Sequence, residues 1–377
     1  SFHWLKDAGR KEGGGDNFIY AITGDDNGNI WLGTATGLVK FDPRKGKGEM
    51  CYPQENRPGE AVNHSVRGLS FDGRYVIFGA YSGGIQLYDP VHNRILKPEY
   101  PAGKDGITLK TAIERDHIYR IHKLKNGNHL ILGDLGCYLL SGYRLSRLKF
   151  SGSDYILQAA AETSSGHLWL GSYKGLLFLS PDFKPLLADT LFSPNRLVSA
   201  VELQNDSTVW AGSVGLYEVS LHAGKLSRKP VLPELKNQQI SNIFKDAAGK
   251  LWIGTDNGLY RYTPATGKLE WFDIWDNVQN KQLNPGSFYY AKDGLLYLGG
   301  NSGLNYFDPL RINPREEPLN VLITEVTINR NDSLFLKENP RPGRYGGLPG
   351  DTLLQSAGQL QLAWDQNSVE IHFSTPY

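Results

Sequence analysis

The side chains of this 377-residue chain that could do chemistry are few and scattered. Its nine histidines follow no metal-ligand spacing. His117 and His122, the nearest pair, stand five apart, which puts them on one face of neither a strand nor a helix. Cys51 and Cys137 are the only cysteines, fit no CxxC or zinc spacing, and read as two unrelated, partly buried thiols. GxSxG, HExxH, GxGxxG and GxxxxGK[ST] are all absent from the sequence. The carboxylates that stand out lie in Asp25-Asp26-Asn27-Gly28 and Asp246-Ala247-Ala248-Gly249. One or two carboxylates per segment are too few for a calcium shell of about six to eight oxygens. These segments read instead as turns, in which Asp bonds its own backbone and Gly supplies a positive φ. No catalytic residue, metal or cofactor is expected.

What does recur is a structural phrase: an aromatic or His, an apolar stretch, Gly, a short polar loop, then Gly-Leu or its like. Trp31-Leu32-Gly33 with Gly37-Leu38 is the first copy and Tyr297-Leu298-Gly299 with Gly303-Leu304 the seventh. The anchor glycines at 33, 79, 133, 171, 212, 254 and 299 are separated by 46, 54, 38, 41, 42 and 45 residues. A period of about 44 with aromatic-Gly punctuation is the mark of four-stranded propeller blades. The sixth copy shows the plan. Ile240–Phe244 alternates like a half-buried strand, and Leu251–Gly254 is the continuous apolar run of a strand covered on both faces. Gly258–Tyr262 and Lys268–Phe272 complete the blade. Asp-Pro pairs at Asp42-Pro43, Asp89-Pro90 and Asp308-Pro309 close third strands.

The seventh copy lacks a fourth strand, while Phe2-His3-Trp4-Leu5 has nothing local to pair with. The expected fold is therefore all-β: a seven-bladed propeller over residues 1–313, closed by Phe2 to Leu5 as the outer strand of the last blade. Residues 314–319 read as a linker, and 320–377 as the first part of a truncated, Ig-like β-sandwich. Val321–Asn329, Leu360–Trp364 and Val369–Phe373 are its strands, with Arg341–Gly350 a loop.

In a blade, the loop between the second and third strands and the loop leading into the first emerge on the same face. Binding residues gather on such a ring of variable loops over a rigid scaffold. The candidates there are His64, Tyr81, Tyr155, Tyr173, Asn195, Asp256, Asn257 and Asn301. Aromatic faces beside Asn, Asp and Gln suit sugars, whose rings present C–H patches and hydroxyl edges. The same residues would equally serve an interface with a sister propeller or a second subunit.

Asp246 to Leu259 (DAAGKLWIGTDNGL) and Asp26 to Leu38 resemble the regulator-propeller repeats of hybrid two-component sensors. Leu362–Ser374 is similar to the opening of the "triple-tyrosine" sandwich domain that follows such propellers. The resemblance covers essentially the whole chain. It implies a periplasmic sensor region that recognises oligosaccharides and relays to a histidine kinase controlling polysaccharide-utilisation genes. It also implies a second propeller and a homodimer as partners. A non-binding scaffold propeller of the same receptor is the alternative. A sialidase- or lyase-like enzyme is a more distant one, since Asp25–Trp31 resembles the Asp-box of sialidases.

Composition agrees in what it excludes. Forty Lys+Arg against 39 Asp+Glu leave a formal charge of +1 and no basic stripe, which argues against nucleic acid. No run of about eighteen apolar residues is present, so this stretch spans no membrane as a helix. The chain begins at Ser1 without a charged and then apolar leader. It reads as a piece of a longer protein, with any membrane segment outside it.

Overall fold

The computed structural model describes residues 2–5, 17–52, 64–80, 83–148, 156–189, 197–279, 282–313, 322–328, 332–335 and 369–374. The chain divides into two units, Ser1–Ile312 and Asn313–Tyr377. The first is a seven-bladed propeller of four-stranded antiparallel sheets, six of them formed from consecutive strands. The inner strands, from blade one to blade seven, are Ile19–Gly24, Val66–Phe71, Ile118–Lys123, Leu157–Glu162, Ala200–Asn205, Ile240–Lys245 and Leu283–Tyr290.

Second strands such as Ile30–Thr34, Leu168–Ser172, Leu251–Thr255 and Leu296–Gly300 are buried along their whole length, because both faces of each blade meet a neighbour. Six of the seven anchor glycines are required by the next blade. A Cβ on Gly33 would lie 2.6 Å from the Val66 carbonyl oxygen.

Blade seven closes as expected. His3–Leu5 pairs antiparallel with Gly303–Phe307, placing His3 opposite Tyr306 and Leu5 opposite Leu304. Buried Phe2 packs on Phe272 and Phe307, with ring centroids 5.3 and 4.5 Å away. The Asn305 amide donates to the His3 carbonyl at 3.0 Å, so the seam joining the two ends is held by both apolar and polar groups.

The turns between first and second strands explain the Asp-to-Trp spacing. Asp246 Oδ1 accepts from the backbone of Ala248 and Lys250, while its Oδ2 accepts from Trp252 Nε1 at 3.0 Å. Asp25 bonds Asn27, Asn29 and Trp31 Nε1 in the same way. In blade four Thr163 occupies the Asp position. Its hydroxyl accepts from His167 N but has no second oxygen for the indole. Trp169 Nε1 is left buried without a partner among the described residues.

Blade three departs from the sequence reading. Gly133 lies opposite Ile118, where other blades place Thr34, Ala80, Ser172 and Thr255 opposite the equivalent residue. Leu132, not Gly133, therefore holds the anchor position. Gly133 is needed for a different reason: a Cβ there would lie 2.7 Å from the buried Asp116 carboxylate. That carboxylate accepts from Leu135 N at 2.9 Å and Tyr138 Oη at 2.8 Å, and burial raises its pKa. The 54-residue interval is accounted for by an unforeseen helix, Lys104–Glu114, whose Leu109 and Ile113 join the core between blades two and three. Cys51 and Cys137 are free, buried and in separate clusters.

In the second unit Leu322–Ile328 pairs with both Asp332–Phe335 and Val369–Ser374. The Asp332–Phe335 strand was not legible in the sequence; Leu360–Trp364, Arg341–Gly350 and 314–319 lie outside the described residues.

Candidate ligand site at the loop face and axial channel

The seven inner strands surround an axial cavity of about 310 Å³. The loops proposed from sequence gather at one end of it. Backbone bonds join the two loop sets: Ala35 N to Phe18 O, Asp134 N to His117 O, Tyr173 N to Ile156 O and Asp256 N to Gln239 O.

Just inside this end every inner strand except that of blade five carries a β-bulge. In blade one Ile19 faces Thr34 and Ala21 faces Gly33, so Tyr20 has no opposite number. The same slip frees Arg67, Tyr119, Gln158 and Ser241 in blades two, three, four and six. In blade seven it widens to the stretch between Leu283 and Phe288. A bulge turns its extra side chain away from the ladder, here at the mouth of the channel.

Three adjacent blades turn this geometry into a cluster. The Arg67 guanidinium lies 4.6 Å from the centre of the Tyr20 ring, a cation–π distance. Phe18 stacks beside Tyr20 at 6.2 Å. His117 Nδ1 is 2.9 Å from Asp134 Oδ2. Burial, then the Asp134 carboxylate, raises the Tyr119 phenol pKa, with Tyr173 adding a smaller push and the Arg67 charge opposing it. Flat rings beside a cation, a carboxylate and an imidazole can stack on C–H faces and bond hydroxyls.

The sequence candidates are distributed around the face rather than converging. His64 packs edge-on to Tyr52, with Nδ1 3.3 Å from its hydroxyl. Tyr173 is exposed beside the blade-three cluster. Asp256 accepts from Gln239 N at 3.1 Å, and Asn257 O accepts from Trp271 Nε1 at 2.9 Å. Asn301 donates to Gln282 Oε1 at 3.1 Å. Tyr81, Tyr155 and Asn195 lie outside the described residues. Sequence reasoning missed Tyr20, Arg67, Tyr119 and Asp134. The first three sit inside regular strands, where an alternating pattern gives no sign of a bulge.

A second feature occupies blades six and seven. Trp271, Ile274, Trp275 and Trp4 are all substantially exposed. Trp271 stacks on Tyr260 and Trp4 Nε1 donates to Ser302 O at 3.1 Å, which places apolar surface beside the loop residues there. Among the described residues no group of three or more His, Cys, Asp or Glu is arranged to hold a metal. No described helix is long and apolar enough to cross a membrane.

Residues 13–36 and 234–257 match the two component regulator propeller family. A "Histidine kinase P4" from Formosa agariphila is 23% identical over 96% of this chain and 27% of its own length. The extracellular domain of a putative hybrid two component system from B. thetaiotaomicron superposes with a TM-score of 0.69 at 19% identity, covering 99% of this chain and 48% of that one. Virginiamycin B lyase from Staphylococcus aureus superposes at 0.59 with 14% identity, over 81% of this chain and 98% of the lyase, a likeness of fold. The chain thus spans about a quarter of the kinase and under half of the hybrid system's extracellular domain.

Proposed function

We propose that this chain, built on two-component regulator propeller repeats, is an extracytoplasmic sensor region that passes ligand occupancy to a histidine kinase elsewhere in its parent protein. The input is an oligosaccharide released from a glycan, the compartment the periplasm, and the output transcription of polysaccharide-utilisation genes. The observation that carries the glycan reading is the cluster at the channel mouth. Tyr20, Tyr119 and Tyr173 offer ring faces, and Arg67, Asp134 and His117 offer groups for hydroxyls. Signalling further requires that ligand favour one arrangement of the receptor over another.

The exposed Trp4, Trp271, Ile274 and Trp275 favour a second reading, in which this propeller is a scaffold that docks a sister propeller or a second subunit. Calorimetric titration with plant and host oligosaccharides, with products followed by chromatography, separates the readings. Saturable heat with unchanged sugar supports the sensor. Silence across the panel leaves the scaffold, and shortened sugars overturn both in favour of an enzyme.

A further inference from the structure

Below the mouth the channel changes character. The position opposite the anchor residue is small and uncharged in most blades: Ala21, Gly68, Ala159, Ala200 and Asn242. Ser287, whose Oγ donates to Gly299 O, takes the corresponding place in blade seven. Blade three alone puts a long cation there, Arg120, opposite Leu132. The small residues leave the room into which the guanidinium extends.

Arg120 reaches across the ring to blade seven. A Cβ on Gly286, a residue with φ of 80°, would lie 3.2 Å from Arg120 Nη2, so the wide bulge of blade seven makes space for this group. Among the described residues, no hydrogen bond or ion pair is made by its guanidinium. The other cations near the channel are tethered. Lys123 Nζ donates to Phe71 O at 3.0 Å, and Lys245 Nζ to Leu203 O at 2.8 Å. The channel walls carry Arg67, Arg120 and Lys123 against one carboxylate, Glu202.

We propose that the axial channel is a binding site for a small carboxylate, held by Arg120 as its anchoring cation. A guanidinium in a secluded, half-buried channel is a preferred partner for a carboxylate, which it grips with two parallel hydrogen bonds. The volume of about 310 Å³ lies at the low end of ligand pockets and limits the guest to roughly one sugar-acid unit or a simple organic acid. Titration of the walls favours the anion. Burial lowers Arg120 to about 10, which still leaves it charged at neutral pH. Burial raises Glu202 to about 7 against the opposing pull of Lys245 and Arg120, so the competing negative charge is half quenched there. His122, held down to about 4 by burial and by Arg120, stays neutral. This site goes beyond the glycan reading and does not need it, since a simple acid would also fill it.

The test is calorimetric titration of the protein with galacturonate and glucuronate, their neutral counterparts galactose and glucose, and malonate. At least one carboxylate should bind saturably, and the neutral sugars roughly tenfold or more weakly. Uronate binding without malonate binding identifies a sugar acid as the source, and malonate binding identifies simple acids. Arg120→Gln should lose at least about tenfold in affinity with an unchanged melting temperature. Should that variant unfold, Glu202→Gln supplies the second reading. It should bind the acid several-fold more tightly than the native protein at pH 8 and abolish the native gain in affinity between pH 8 and pH 6. Carboxylates that bind no better than the neutral sugars, or equally well to Arg120→Gln, overturn the proposal. Neutral oligosaccharides binding alone would overturn it while leaving the sensor reading intact.

Discussion

The two ends of the propeller are built by opposite rules. At the turn end, Asp25 and Asp246 make the same bonds, to the backbone of the turn and to a buried indole at 3.0 Å in each case. At the loop end, the position freed by the bulge is equally regular in backbone yet holds Tyr20, Arg67, Tyr119, Gln158 or Ser241. Where geometry and residue type repeat together, folding selects the residue. Where the geometry repeats and the residue does not, the fold is satisfied by many side chains, and something outside the fold has room to choose. The channel between the ends belongs with the second kind, since one blade of seven supplies Arg120 and another Glu202.

The largest expected effect tests that assignment of the channel. Glu202 titrates near 7 in the folded protein, above its ordinary value of 4.5, because burial disfavours the carboxylate. The protonated form therefore contributes stability that is complete below about pH 4.5 and lost as pH rises through 7. Glutamine does not titrate. Native stability measured against Glu202→Gln should fall between pH 4.5 and 8 by at most about 3 kcal/mol. His122 titrates in both proteins and largely cancels. Melting temperatures of the two proteins that run parallel across this range would place Glu202 in a wetter site than the channel.

Breaking the turn end should cost somewhat less. Asp246→Ala strips acceptors from Ala248 N and Lys250 N and leaves Trp252 Nε1 buried and unbonded. A loss of about 2 kcal/mol in chemical denaturation is expected, and a change within 0.5 kcal/mol would show the bonds to be incidental. The reverse experiment has a natural site in blade four. Thr163→Asp supplies the missing oxygen to Trp169 Nε1. It should stabilise the protein by about 1 kcal/mol, because an unsatisfied buried donor is repaired at the cost of one partly desolvated charge. A lower melting temperature would mean that the blade-four turn cannot bring the carboxylate to the indole.

These differences also set what the sequence could tell. Turn, strand and anchor chemistry is local and repeated, so seven blades and the closure by Phe2 to Leu5 were readable from spacing alone. Blade three hid its register because Gly133 imitates an anchor glycine while serving the Asp116 carboxylate, a contact visible only in three dimensions. The mouth cluster was hidden for a related reason. A bulge is decided by pairing with another strand, so Tyr20, Arg67 and Tyr119 looked like ordinary members of half-buried strands. The loop residues His64, Asp256, Asn257 and Asn301 were easy to nominate because they are polar and lie between strands. Yet three of these, Asp256, Asn257 and Asn301, spend polar groups on bonds within their own blades.

Tyr173 is the nominated residue that best separates the two rules, and the effect on stability should be the smallest of all. Its side chain is 43% exposed, and it stands beside the Tyr119 cluster from the neighbouring blade. Its backbone N–H bonds Ile156 O, which alanine preserves. Tyr173→Ala should therefore leave the melting curve within about 0.5 kcal/mol of native, as exposed substitutions usually do. If the loop end is chosen for recognition, the same change should weaken binding of an oligosaccharide by roughly fivefold to tenfold, the worth of one ring face. Unchanged affinity with unchanged stability would remove Tyr173 from the site and return the blade-four loop to the class of residues the fold merely tolerates. A large loss of stability would be more damaging, because it would mean that the loop end also carries folding energy and that the contrast between the ends is one of appearance.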